Sequence, residues 1–147
     1  MELDEVDLRI LSILLEDGRA SCREIARELG VSTATVSKRL KKLESSGIIK
    51  GYTALLDHEK LGYEITVVTA VTVSGGRLLD IEREIAKLPG VCAVYDVTGP
   101  VDVMVVAKFR SRKDLSKFTK TLLAMPNIER TCTYVVLTTI KEDFRLL

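Results

Sequence analysis

The chain is short of the residue types that most readily announce a chemistry. It has one histidine, three cysteines and no tryptophan in 147 residues. Cys22, Cys92 and Cys132 are far apart, odd in number and never in C-x-x-C spacing. That pattern excludes a disulfide framework and a zinc site and leaves buried, reduced thiols. With His58 alone, general acid–base chemistry lacks its commonest group, and no nucleophile–base pair stands out. No enzyme, metal or cofactor is expected. No apolar run approaches the roughly 20 residues of a membrane span. The opening MELDEVDL is acidic where a signal peptide is basic, so a cytoplasmic location is expected. Neither sign of charge is in excess. The net charge of +1 argues against a broadly basic nucleic-acid binder.

What is present is ordinary in amount and telling in arrangement. The hydrophobic fraction of 46% and charged fraction of 29% are those of a soluble globular protein with room for two small domains. Glu2, Asp4, Glu5, Asp7, Glu16 and Asp17 open the chain against Arg9 alone. From Ser32 to Gly51 the balance inverts, with Lys38, Arg39, Lys41, Lys42 and Lys50 against Glu44. Basic charge is gathered on one stretch. A weak overall charge then implies that specific affinity leans on dimerisation rather than on a wide electrostatic footprint.

That stretch, IARELGVSTATVSKRLKKLE from Ile25 to Glu44, reads as two short helices with a tight break. Ile25, Ala26 and Leu29 share one face. Gly30 ends the first helix because glycine takes the left-handed conformation without steric cost. Ser32 is an N-cap for the second helix, in which Val36, Leu40 and Leu43 recur at buried-stripe spacing. Thr33, Ala34, Thr35, Lys38, Lys41 and Lys42 face away from that stripe. Small Ala26, Gly30 and Val36 let the helices cross closely, which is a helix-turn-helix signature. Short polar side chains at the helix start can reach base edges in a major groove while lysines meet phosphates. Thr33, Ala34, Thr35 and Lys38 are the candidate base readers. Ser32, Arg39, Lys41 and Lys42, with Arg19 and Arg23 at the preceding helix, are the candidate phosphate contacts. The plainer alternative is a helical hairpin with a solvated basic face.

An earlier helix begins at an Asp4 N-cap, carries Leu8, Leu11 and Leu15 with Ile10 and Leu14, and ends at Gly18. It completes a three-helix core. Ile48 to Leu56 has strand character, and Asp57 to Gly62 is turn-like. From Tyr63 the apolar period becomes two. Strands are expected over 65–73, 91–98, 101–109 and 131–140, with helices carrying Leu78, Ile81, Ile85 and Leu88, then Leu115, Phe118, Leu122 and Met125. The order βαββαβ predicts one antiparallel sheet with both helices on one face. Val68, Ala70, Val94, Met104 and Val106 would then leave an apolar opposite face, which predicts a second copy as partner. The fold class is thus α+β: a three-helix, winged-helix-like domain at 1–50, a strand and linker at 51–62, and a ferredoxin-like domain at 63–147.

Several segments resemble the Lrp/AsnC, or feast/famine, family across essentially the whole chain. They are LDEVDLRIL at the start, GRASCREIARELGVS and RLKKLESSGIIKGYTALLD around the helix-turn-helix, VTGPVDVMV at 97–105 and TCTYVVLTTIKE at 131–142. The resemblance implies a sequence-specific transcription regulator acting on double-stranded DNA. It further implies a C-terminal domain that dimerises, assembles into octamers or larger discs, and in many members binds a small amino acid. The matched ligand positions are Gly99 and Asp102 in a turn, with Thr131 and Thr133 on the last strand. Asp102 suits an α-ammonium; backbone N–H groups near Gly99 and the threonine hydroxyls suit a carboxylate. Pro100-Val101 departs from the family pattern and removes one N–H donor. A ligand-free hairpin turn and β-branched strand filler are the plainer readings of these four residues. Two other functions compete: a nucleoid-type architectural protein that wraps DNA, and a decarboxylase acting on haem precursors.

Overall fold

Asp4 sets the start of the first helix, α1 (Glu5–Glu16), through a reciprocal capping box. Its side chain accepts from the Asp7 N–H at 2.9 Å, and the Asp7 carboxylate accepts from the Asp4 N–H at 3.2 Å. The computed structural model describes residues 2–147. α2 (Cys22–Leu29) carries a second capping box between Ser21 and Glu24, and α3 (Thr33–Ser45) is capped by Ser32. Ile10, Ile25, Ala26, Val36 and Leu43 form the buried core of these three helices. The apolar stripe of α1 centres on Ile10 and not on the expected Leu8, which is exposed.

The chain divides into two compact units, Met1–Leu55 with Glu142–Leu147 and Leu56–Lys141. The last six residues therefore group with the helical unit, where Arg145 donates to the Leu15 carbonyl at 3.3 Å. The strand expected over Ile48–Leu56 does not form. Ile49 N–H turns back to the Leu43 carbonyl and Tyr52 donates to Glu44, while Leu55 is 77% exposed. A β-pattern without a neighbouring strand leaves its N–H and C=O groups to solvent, and here no ladder within the unit takes them.

The second unit contains β1 (Ile65–Val73), α4 (Leu78–Ala86), β2 (Val91–Asp96), β3 (Val103–Phe109), α5 (Arg112–Ala124) and β4 (Ile128–Val135). The strands form one antiparallel sheet in the order β2-β3-β1-β4. Val67, Val71, Val103, Val105 and Ala107 face Ile81, Ile85, Phe118 and Leu122 in one core. Both helices lie on that side, as the strand periodicity implies. Val94, expected on the open face, sits opposite Val105 and packs into this core; Ala93 and Tyr95 take the open face. The cysteines also depart from expectation: Cys22 is half-buried, and Cys92 and Cys132 are exposed.

Two strand boundaries moved for backbone reasons. β4 starts at Ile128, directly after Asn127 with φ +68°, and its last rung is Val136 N–H to the Thr66 carbonyl at 2.8 Å. Beyond that point β1 offers no further partner. The apolar residues Leu137 and Ile140, which suggested strand to 140, are exposed instead. Between β2 and β3 the turn is wider than Gly99-Pro100, spanning 97–102 and closed by Val97 N–H to the Asp102 carbonyl at 3.0 Å.

Gly90 joins α4 to the sheet by close backbone approach. It has φ +85°, and an added Cβ would lie 2.5 Å from the Lys108 carbonyl oxygen and 2.9 Å from Phe109 Cε1. Its own carbonyl accepts from Lys108 N–H at 2.8 Å. Left-handed backbone costs about 1–2 kcal/mol for a residue with Cβ, and overpacking typically adds about 1–3 kcal/mol. Gly90→Ala is therefore expected to destabilise the protein by about 2–5 kcal/mol, read from a guanidinium midpoint; an unchanged midpoint would refute this account of the corner.

Candidate nucleic-acid interface and effector turn

The break between α2 and α3 is built from short local bonds. Gly30 has φ +68°, and Val31 N–H reaches the Ala26 carbonyl at 3.1 Å. Ser32 Oγ accepts from Thr35 N–H at 3.1 Å and lies 2.8 Å from the Thr35 hydroxyl. Burial of Val36 and Leu43, with Leu40 half-buried, turns the opposite side of α3 outward. Thr33, Ala34, Lys38, Lys41 and Lys42 are exposed there, together as expected. Arg19 and Arg23 are exposed near the start of α2. Thr35 is half-buried and its hydroxyl is shared with the cap, which makes it a helix-starting residue first.

Arg39, a candidate phosphate contact, is also engaged inside the helical unit. Its Nη1 donates to Asp7 Oδ1 at 3.0 Å and pairs with Asp4 Oδ2 as well. Asp7 is only 2% exposed, so its carboxylate has little water to solvate it and needs a cation beside it. The guanidinium thus ties the first turn of α1 to the middle of α3. The hydrogen bond from Arg39 holds the Asp4 carboxyl below its usual range, with the Asp7 N–H adding to the effect. Asp4 and Asp7 are visible in the sequence as helix-capping residues. Their second role is not, because their distance from Arg39 along the chain gives no local signal.

At the other candidate site, the 97–102 turn closes the end of the β1–β3 ladder. Asp102 N–H donates to the Val71 carbonyl at 3.0 Å, and Asp102 Oδ2 accepts from Val73 N–H at 2.8 Å. One carboxylate oxygen therefore holds the backbone, and Oδ1 is left to receive another donor. Gly99 lies exposed in the same turn with φ +114°. Thr131 is half-buried on β4 opposite Val71, whose carbonyl receives the Asp102 N–H. Thr133 is one rung further along the same face, and its hydroxyl bonds that of buried Thr69 at 3.1 Å. Gly99, Asp102 and Thr131 thus belong to one end of the sheet, while the Thr133 hydroxyl is used inside it. Glu82 of α4 went unnoticed in the sequence. Its Oε1 is buried with no hydrogen-bond partner among the described residues. Burial first, and the Asp96 carboxylate second, push it above the ordinary carboxylate range.

Comparison with known proteins agrees with both halves of this geometry. Residues 3–50 match the winged helix-turn-helix DNA-binding family, and residues 66–146 match the Lrp/AsnC ligand binding domain. An uncharacterised HTH-type transcriptional regulator of Pyrococcus furiosus is 49% identical over 146 residues, covering 99% of each chain. The HTH-type transcriptional regulator FL11 of Pyrococcus horikoshii is 37% identical, covering 98% of this chain and 95% of its own. Among solved structures, LrpC of Bacillus subtilis superposes with a TM-score of 0.85 at 31% identity, covering 97% of this chain and 100% of its own. A Neisseria meningitidis transcriptional regulator in complex with L-Met superposes at 0.90 with 28% identity, covering 99% and 97%. The chain belongs to the Lrp/AsnC family of DNA-binding transcriptional regulators.

The Asp4–Arg39 pair has a defined pH signature. A carboxylate whose folded pKa is depressed contributes stability that is present above its unfolded pKa and lost as pH falls through the folded one. Stability of the wild type is expected to hold above about pH 5 and decline below about pH 4. Asp4→Asn is expected to be less stable at neutral pH and to decline less on acidification. Thermal melts of both proteins from pH 3 to pH 7 measure this; parallel curves would refute the pairing.

Proposed function

We propose that this regulator reads DNA through the outward face of α3, with Thr33, Ala34 and Lys38 at base edges. Lys41 and Lys42, with Arg19 and Arg23, meet phosphates. Arg39 positions the helix from inside, and Ser32 and Thr35 set its N-terminus. The observation that carries this reading is the exposed row Thr33, Ala34, Lys38, Lys41 and Lys42, backed by buried Val36 and Leu43. The reading places the protein in the cytoplasm, where DNA is accessible, and involves no catalytic step.

The working form is a homodimer, the basis for any larger assembly. Supporting this, Val68 and Ala70 on β1 and Met104 and Val106 on β3 pair across the sheet face that α4 and α5 leave uncovered. Tyr95 and Tyr134 flank them, both exposed. An apolar face of this kind favours burial against its own copy about a two-fold axis. Two recognition helices then address half-sites separated by one DNA turn or a multiple of it. A small amino acid binds at the 97–102 turn: its ammonium to Asp102 Oδ1, its carboxylate to backbone N–H groups near Gly99 and to Thr131. The Neisseria relative's complex with L-Met supports this effector class.

Sites selected from random DNA, followed by titrations at several salt concentrations, test the reading. Lys38→Ala is expected to weaken the cognate site selectively. Lys42→Ala should weaken all sequences alike and reduce the slope of log K against log salt by about 0.9. Arg39→Ala should leave that slope unchanged while lowering thermal stability. Protection without discrete half-sites would instead indicate an unselective DNA wrapper. Independently, Met104→Glu is expected to shift the sedimenting species toward monomer; an unchanged mass would exclude this face as the dimer contact.

A further inference from the structure

We propose a second small-molecule site in the C-terminal unit, distinct from the 97–102 turn, that takes a small carboxylate with an aromatic or branched apolar body. It is a cavity of about 310 Å³ between the end of β3, one face of α5 and the Leu88–Gly90 corner. Asp102 and Phe109 bracket β3, so the cavity lies about 23 Å along the strand from the turn, at 3.3 Å per residue.

The floor is apolar and aromatic. Phe109 and Phe118, 5% and 4% exposed, hold their rings 5.1 Å apart at 43°, and Leu88 and Pro89 extend this surface. The wall is cationic. Arg110 lies with its guanidinium carbon 4.4 Å from the centroid of the Tyr63 ring, which orients the fork. Lys117 enters from α5, where Asp114, Lys117, Phe118 and Thr121 share one face at i, i+3, i+4 and i+7. Among the described residues neither Arg110 nor Lys117 has an ion pair, although Asp114 also lines the cavity.

Arg110 and Lys117 against Asp114 give the cavity a net positive wall over an aromatic floor, and Lys108, which also lines it, directs its ammonium to the Thr66 hydroxyl. An anion whose charge is small and forked, and whose remainder is apolar, matches both surfaces. A phosphate satisfies only the wall, and an amine meets the wrong sign at Arg110 and Lys117. A planar ring can lie on the Phe109–Phe118 floor beside Tyr63 while its carboxylate meets Arg110.

Isothermal titration of the full chain with sodium phenylacetate tests the assignment. Saturable binding of one molecule per chain is expected. 2-Phenylethanol and 2-phenylethylamine should bind at least tenfold more weakly, and sodium phosphate should not saturate. Arg110→Gln, at an exposed position, should weaken phenylacetate at least tenfold; Arg110→Lys should fall between. Thr131→Val should leave it unchanged, which separates this site from the proposed effector turn. The proposal is overturned by no saturation, by equal affinity for the alcohol or amine, or by saturable phosphate binding. Full affinity in Arg110→Gln, or loss of it in Thr131→Val, overturns it equally.

Discussion

The helical unit depends on one buried carboxylate. Asp7 sits almost wholly out of water in the first turn of α1, and Arg39 of α3 supplies the opposing charge. Removing Arg39 leaves the Asp7 carboxylate without its opposing charge. The pair is therefore poor evidence of net stabilisation but strong evidence of geometry. It ties α1 to α3, while burial of Val36 and Leu43 turns Lys38, Lys41 and Lys42 outward together. Arg39 also illustrates how a basic residue on an otherwise exposed cationic helix can be engaged inside the fold.

In the sheet unit the corresponding constraint is β1. It pairs with β3 on one side and β4 on the other, so its backbone groups decide where the flanking segments begin and end. At one end Asp102 completes the ladder by taking Val73 N–H, which makes the 97–102 turn an extension of the sheet and not a loop hung upon it. At the other end Thr66 gives β4 its last rung and also accepts from the Lys108 ammonium at 3.1 Å. Each end is thus tied by a side chain as well as by the ladder. The alternation of β1 feeds a helix-covered face and an open one, and the open one remains apolar.

The two proposed sites lie at opposite ends of β3. The turn offers a carboxylate oxygen and backbone donors, suited to an ammonium and a carboxylate carried on one carbon. The cavity beside α5 offers cations over aromatic rings and suits a ligand with separate charged and apolar ends. The difference follows from what surrounds each end of β3. Gly99 and Asp102 expose backbone and a single acid, whereas Phe109 and Arg110 bring a ring and a fork in adjacent positions, one turned to the core and one to the rim.

Much of this architecture was legible in the chain itself. Local rules govern capping by Asp4 and Ser32, the Gly30 stop and the period-two strands, and local rules need only neighbouring residues. The exposed lysine face was legible for the same reason. Long-range pairing was not. The partner of Arg39 lies far along the sequence, and Ile48–Leu56 has strand chemistry with no ladder in its unit to join. Thr133 carries a hydroxyl whose use depended on Thr69 lying across from it. Val94 could be placed on either face until the register with Val105 was known, because a shift of one residue inverts every side chain. Composition and periodicity determined most of the elements and which helix presents an exposed basic face. Only tertiary pairing decided which charged and hydroxyl groups remain available to a ligand, since a group satisfied inside the fold looks identical in sequence to one that is free.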